Sequence, residues 1–451
     1  MNRFERWASA GGEVAVAGLG RSGVAATRLL RAHGIAVYAS DVSSRREPDV
    51  AQLQQEFPYG VTAEAGSHDL ERIARSVALV VSPGIPPDAA PIRAAREAGV
   101  EVVAEAQLGL DELEGVPFIA VTGTNGKTTT TALVEQLLWA GDRRAMAAGN
   151  IGTPLSAAAL ESGRQDWLAV ELSSFQLHDL PDLHPTVGVL TNLAPDHLDR
   201  YADLEEYYAD KALLFASASS GSIWVSNLDD PDSRAMVEGV AGRHLAFSTM
   251  VRADGWFDRA SDHLMIGNQP LIARSEFHLL GDHNVANALA AALAVHATGV
   301  PLETIARGLE SFMALDHRME PVATVGDVLY LNDSKATNVA STRVALAAMD
   351  RPFVLMLGGR HKGEPYSALA DGLAGAVAVV AYGESAPIID HDLHEVVRLE
   401  RADGFEDAVR LAASLAPAGG AVLLSPACSS YDQFDNYEQR GATFRQIVRS
   451  L

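Results

Sequence analysis

Three α/β domains are the fold the sequence predicts, and three observations predict it. The chain has 451 residues, more than one ordinary domain holds. Apolar runs of strand length end in Gly- or Ser-rich turns and lead into helix-like segments, the alternation of a parallel sheet with ligand loops at strand C-termini. That alternation gives way to short strands and turns from about 221 to 280 and restarts near 316. The expected divisions are 1–106, a Rossmann-like domain, 107–315, a P-loop-type mononucleotide-binding domain, and 316–451, a second Rossmann-like domain.

In the first division, residues 14–17 form a short strand, Gly18-Leu19-Gly20-Arg21-Ser22-Gly23 a turn, and 24–30 a helix. A second strand at 35–40 ends at Asp41, a third at 77–81 ends at Ser82, and 100–103 is a fourth. Gly18-x-Gly20-x-x-Gly23 followed by Asp41 is a dinucleotide fingerprint. It suits NAD(P), another nucleotide or nucleotide sugar, or a turn made only for packing.

In the second division, the apolar run 117–121 precedes Gly123-Thr124-Asn125-Gly126-Lys127-Thr128-Thr129, and 131–138 follows as helix. Strand, glycine loop, Lys-Thr and helix make a phosphate-binding loop. Backbone N–H groups close round phosphate oxygens, the lysine adds a compact charge, and the threonine hydroxyl reaches Mg²⁺. Val121 stands where the common pattern has its first glycine, so the loop is a variant. Two β-rich runs, 166–172 and 186–192, bring Glu171 and the segment holding Asp196 and His197 to strand ends, where they could serve as Mg²⁺ ligands. Helical spacing over 203–215 gathers Leu204, Tyr207, Tyr208, Leu214 and Phe215 on one face with Lys211 in its middle. Either Lys211 snorkels to water, or it points into a site with a depressed pKa or a chemical modification. Asn284 and Asn287 open an alanine-rich helix, as caps or as partners of an adenine edge.

In the third division, strands at 328–331, 353–357, 377–380 and 421–424 each run into a polar or glycine turn. Lys335, Lys362 and Ser430 lie on equivalent strand-end loops and make a cationic, hydroxyl-rich surface suited to a small carboxylate.

Composition narrows the function. The chain is 48% apolar and 21% charged, as in soluble globular proteins. It has no apolar run of about 18 residues or more, so no membrane partner is expected. Its first residues do not read as a signal peptide, and a single cysteine, Cys428, fits a reducing, cytoplasmic setting. A net charge of −23 argues against nucleic acid as a partner. Anionic substrates would have to be met by single cationic side chains, helix N-termini and Mg²⁺.

Taken together, seven motifs in order resemble the Mur ligases over essentially the whole chain. They are the loop 123–128, Glu171-Leu172-Ser173-Ser174-Phe175-Gln176-Leu177, Asp196-His197-Leu198-Asp199-Arg200-Tyr201, His283-Asn284 with Asn287, His317-Arg318, the run from Asn332 to Asn338, and Ser425-Pro426-Ala427-Cys428. The run around Lys335, with Asp432-Gln433-Phe434 and Glu438-Gln439-Arg440-Gly441, is similar to the D-glutamate-adding branch. The resemblance implies an ATP-dependent amide ligase of peptidoglycan precursor synthesis, acting in the cytoplasm as a monomer on small molecules. The terminal alanine carboxylate of a UDP-linked sugar would take the γ-phosphate of ATP, and the amine of D-glutamate would displace phosphate from the resulting acyl phosphate.

By matching position, Gly20, Arg21, Ser22, Asp41 and Ser82 would line the UDP pocket, with Asn150 and His197 near the reacting end. The loop Gly123 to Thr129, with Asn284, Asn287, Arg318 and Asp333, would bind ATP. Lys127, Glu171, His197 and Lys211 would be catalytic; Thr128, Glu171, His197 and Lys211 would hold two Mg²⁺ ions, Lys211 as a CO₂-derived carbamate. Lys335, Thr337, Lys362, Ser430 and Tyr437 would bind D-glutamate. Val42-Ser43 departs from the threonine-arginine pair frequent after the family's aspartate, and Tyr431 and Tyr437 replace a leucine or tryptophan and a phenylalanine. The alternatives are a sibling ligase, an L-glutamate-adding variant, folylpolyglutamate synthase and, from another class, a nucleotide-binding oxidoreductase or regulator.

Overall fold

A computed structural model describes residues 1–150, 152–161, 165–196, 201 and 203–451. Three sheets carry it. The first is wholly parallel, in the order Val61–Ala65, Ala36–Asp41, Glu13–Ala17, Ala78–Val81, Glu101–Ala104. Its first strand in sequence lies between the second and the fourth, so the chain turns to opposite sides there. A crevice opens at such a reversal, at the strand C-termini.

The central sheet places Phe118–Thr122 between Val187–Leu190 and Trp167–Glu171, all parallel. These strands are buried along their length except at Trp167, as expected where helices cover both faces. Beyond Ile223–Asn227 and Arg243–Ser248 the sheet ends in an antiparallel meander, Gly255–Asp258, His263–Ile266 and Gln269–Ala273. The third sheet runs Glu320–Val325, Val328–Asn332, Ala421–Leu424, Phe353–Gly358, Ala376–Tyr382, Leu399–Ala402, antiparallel only at its first pair.

These sheets fall into two compact units: Met1–Glu276 with Ala286–Ser311, and Phe277–Val285 with Phe312–Leu451. In the first unit the helix Arg21–Ala32 and the helix Glu105–Glu112 both pack on Leu155–Leu160, and one apolar core runs from Phe4 to Trp224. The two sheets therefore share one core, and the first sheet has a second of its own around Tyr38, Leu79 and Ile92.

Most strands match the sequence expectation to within a residue or so. The helix Arg3–Ala10, fixed by an Asn2–Glu5 capping box, and the strand Ala145–Gly149 were not expected. Ala145–Gly149 is alanine- and glycine-rich, so its residues carry little β signal. The helix after the phosphate loop starts at Lys127, four residues earlier than its apolar pattern, because the loop itself supplies the first turn. Among the described residues no helix is long and apolar enough to cross a membrane.

Candidate active site

The glycine loop of the central sheet is held open by its neighbours. Thr124 N–H donates to Asn192 O at 2.8 Å, Asn125 N–H to Asn192 Oδ1 at 2.9 Å, and Thr191 Oγ1 to Asn125 O at 2.6 Å. Gly126 has φ +81°, and a Cβ there would lie 2.2 Å from Asn287 Oδ1, so both conformation and space require glycine. The helix Lys127–Ala140 begins with no side-chain cap, which leaves its N-terminal amides pointing into the loop. Thr128 is half-buried in its first turn, and Thr129 is buried behind it.

Two lysines meet on this loop. Lys127 Nζ donates to Gly123 O at 2.9 Å and to Thr124 O at 2.7 Å; Lys211 Nζ donates to the same Gly123 O at 2.8 Å. Lys211 is 1% exposed, its ammonium 4.6 Å from the Tyr207 ring centre. Burial first, and the charge of Lys127 second, push its pKa well below the ordinary lysine value. The structure thus decides between the two sequence readings: Lys211 points into the site and does not snorkel.

Glu171 ends the adjacent strand and is 2% exposed. Asn150 Nδ2 donates to its Oε1 at 2.8 Å, while Oε2 has no hydrogen-bond partner among the described residues. A buried carboxylate oxygen left open, with the Thr128 hydroxyl on the neighbouring loop, is a hard-oxygen donor set that fits Mg²⁺. No group of three or more His, Cys, Asp or Glu side chains able to hold a metal occurs among the described residues. His197 lies outside the described residues.

In the first sheet Asp41 is committed to backbone: its Oδ2 accepts from Leu19 N–H and its Oδ1 from Ser43 N–H, both at 2.8 Å. Ser82 Oγ donates to Gly18 O at 3.0 Å. These bonds shape the turn through Gly20, Arg21 and Ser22, and Arg21 stands exposed at the start of its helix. Sequence reasoning missed Arg46, whose Nη2 comes within 3.8 Å of where a Gly20 Cβ would be. Its signal was weak: it lies five residues past Asp41, beyond Val42-Ser43, and belongs to no motif.

Around the helix Asp282–Ala297, Asn287 belongs to the first unit and accepts from Thr130 Oγ1 at 3.3 Å; Asn284 belongs to the second and donates to Leu280 O at 2.8 Å. The second unit also holds Arg318, between two non-glycine residues of positive φ, His317 (63°) and Met319 (44°). Asp333 accepts from Ser425 Oγ at 2.8 Å and Met319 N–H at 3.2 Å, and burial pushes its pKa up to about 7.

Three adjacent strand ends in this unit, Asn332, Leu424 and Gly358, carry the remaining residues. Lys335 Nζ donates to Tyr437 Oη at 2.7 Å and sits 4.0 Å from its ring centre, and Lys362 Nζ donates to Thr337 Oγ1 at 3.3 Å. Ser430 is buried at the end of the third loop. Arg440, fully buried and unremarked as a site residue in the sequence, laces these loops: Nε donates to Ser334 Oγ at 2.9 Å, Nη2 to Ser334 O at 2.9 Å, and Nη1 to Cys428 O at 3.1 Å and Gly358 O at 3.4 Å.

Comparison with known proteins accords with this arrangement. Family models match in three stretches: "Mur ligase MurD-like, N-terminal domain" over 12–104, "Mur ligase middle domain" over 121–295, and "Mur ligase, glutamate ligase domain" over 317–428. The chain is 40% identical, over an alignment of 461 positions, to UDP-N-acetylmuramoylalanine--D-glutamate ligase of Anaeromyxobacter dehalogenans, covering 97% of each chain. It is 38% identical to the Myxococcus xanthus protein of the same name, covering 98% of this chain and 99% of that one. Among solved structures it resembles UDP-N-acetylmuramate-alanine ligase MurC of Thermotoga maritima (TM-score 0.62, 18% identity, 97% of this chain and 99% of that). It also resembles MurF ligase of Thermotoga maritima in complex with ADP (TM-score 0.60, 18% identity, 85% of this chain and 100% of that). Three domain models in order and full-length relatives of this identity place one conclusion beyond the fold: the chain belongs to the Mur ligase family.

Proposed function

We propose that the chain joins D-glutamate to UDP-N-acetylmuramoylalanine at the expense of ATP, in the cytoplasmic synthesis of peptidoglycan precursors. The observation that carries the chemistry is the meeting of Lys127 and Lys211 on the Gly123 carbonyl, with the open oxygen of Glu171 on the next strand. The choice of D-glutamate rests on the relatives' names and on the paired lysines of the second unit.

The chain works through three parts, divided near 106 and 315. Gly20, Arg21, Ser22, Asp41 and Ser82 hold the UDP end, and Asn150 with His197 orients the alanine carboxylate. The amides of 123–129 and Lys127 hold the β- and γ-phosphates, and Asn284, Asn287, Arg318 and Asp333 hold adenine, ribose and phosphate. Lys335, Thr337, Lys362, Ser430 and Tyr437 hold the carboxylates of D-glutamate. Thr128, Glu171, His197 and Lys211 would hold two Mg²⁺ ions, whose charge neutralises the phosphates.

A cationic Lys211 would oppose Mg²⁺. Burial favours its neutral form, whose nitrogen can add to CO₂ and lose a proton, giving a carbamate of charge −1. The chain acts alone, as a monomer, on small molecules. Phosphate release with ATP, Mg²⁺ and UDP-N-acetylmuramoyl-L-alanine should require D-glutamate among D-Glu, L-Glu, L-Ala, meso-diaminopimelate and L-Lys. No release with either glutamate rejects the reading, and release with L-Glu alone rejects its stereochemistry.

A further inference from the structure

Glu171 and Lys211 come from different segments, and a side chain with no place in the chemistry above ties those segments together. Asp210 precedes Lys211 in the helix Leu204–Ala212 and is 6% exposed. Its Oδ1 lies 2.7 Å from His178 Nδ1, and its Oδ2 accepts from Tyr201 Oη at 2.8 Å. His178 ends the short helix Ser174–His178, which a Ser173–Gln176 capping box fixes two residues after Glu171. Glu171, that helix and His178 therefore form one stiff run.

Aromatic packing closes the same cluster. The Tyr201 ring lies parallel to Phe175, centroids 5.4 Å apart, and 5.3 Å from Tyr207. Tyr207 faces the Lys211 ammonium, and its Oη lies 3.2 Å from Thr124 Oγ1 in the glycine loop. Both oxygens of Asp210 are thus occupied by donors from other segments. Its charge pairs the segments and, as a lesser influence, works against the lowering of the Lys211 pKa. A buried carboxylate satisfied in this way has few alternative arrangements, because losing either donor strands a desolvated oxygen.

We propose that Asp210, through His178 and Tyr201, is a positioning residue that sets the separation of Glu171 from Lys211 and so tunes the uptake of CO₂ on Lys211. It touches neither substrate nor metal. This rests on the reading of Lys211 given above. Partners bonded directly to metal ligands are worth about 10–100-fold, and Asp210, one contact further out, belongs at the low end of that range.

The test is ¹³C NMR of the full chain titrated with ¹³C-bicarbonate, which reads carbamate occupancy without turnover; ADP binding reports whether the phosphate loop is intact. His178→Ala should need about tenfold more bicarbonate for half-occupancy, with ADP affinity unchanged. His178→Asn, whose Nδ2 can stand in for the ring Nδ1, should stay within about twofold of the parent. Activity lost in His178→Ala should return as bicarbonate is raised. If His178→Ala loses ADP binding, Tyr201→Phe carries the test, with an expected shift of about threefold. A parent-like titration in whichever variant keeps ADP binding overturns the proposal alone. No carbamate signal in the parent overturns the Lys211 reading and this proposal with it.

Discussion

Two glycine turns, 18–23 and 123–127, follow buried parallel strands and open helices, yet their surroundings differ. The first is tied by Asp41 and Ser82, and the cations near it, Arg21 and Arg46, are exposed. The second has two lysines on one carbonyl, one of them buried, beside a carboxylate with an open oxygen. The backbone device is the same, since glycine turns and helix N-termini suit any phosphate. In the function proposed above, what separates holding an anion from reacting it is the density of desolvated charge.

The sharpest way to break that comparison is to remove the charges. Lys127→Ala should lower the rate of phosphate release by about 10³-fold while leaving sugar-nucleotide binding intact, checked by steady-state kinetics and calorimetry. Lys211→Arg should cost as much, because a guanidinium stays charged and cannot add CO₂; near-parental activity in Lys211→Arg would sink the carbamate reading.

Steric substitutions come next and should separate the two loops by substrate. Gly126→Ala drives a methyl into Asn287 and should raise the KM for ATP by about 10–100-fold, leaving that for the sugar nucleotide unchanged. Gly23→Ala, where a Cβ would lie 1.7 Å from Gly18 O, should do the reverse. Equal effects on both KM values in both variants would mean that the loops do not act separately.

A smaller effect is expected from Asp41→Ala. It frees two backbone amides and should raise the sugar-nucleotide KM by about tenfold, with about 1–3 kcal/mol of stability lost. The smallest effect on rate should come from Glu105, which is fully buried, accepts from Ser156 N–H at 2.6 Å and has a pKa pushed up to about 7 by burial. Its folded pKa exceeds its unfolded one. Its contribution is therefore complete below about pH 4.5 and is lost as pH rises through about 7, by about 3 kcal/mol at most. Glu105→Gln should flatten that part of the pH–stability curve measured by denaturant titration.

Much of both loops was legible in the sequence because glycine, lysine and strand-end position are local signals. Lys211 stood out as a charge on an apolar face, but only the fold could show which way it points. Arg46 and Arg440 were illegible as site residues for the same reason. Arg46 reaches Gly20 from a separate turn, and Arg440 joins three loops, those of Ser334 and Gly358 lying 106 and 82 residues away in sequence. Asp41 was legible as a fingerprint residue, yet its commitment to Leu19 and Ser43 amides depends on the turn's geometry.

The two compact units interleave along the chain, since 277–285 belongs with 312–451 while 286–311 belongs with the first 276 residues. Order of synthesis then matters. The first unit can be completed only after residue 311 has been made, and by then the nine-residue strip 277–285 has already emerged without its partners. That strip must wait for the rest of the second unit, against whose core Leu280 packs. A fragment beginning at 312 would lack the strip, and one ending at 311 would carry it unpaired, so neither cut yields a self-sufficient module.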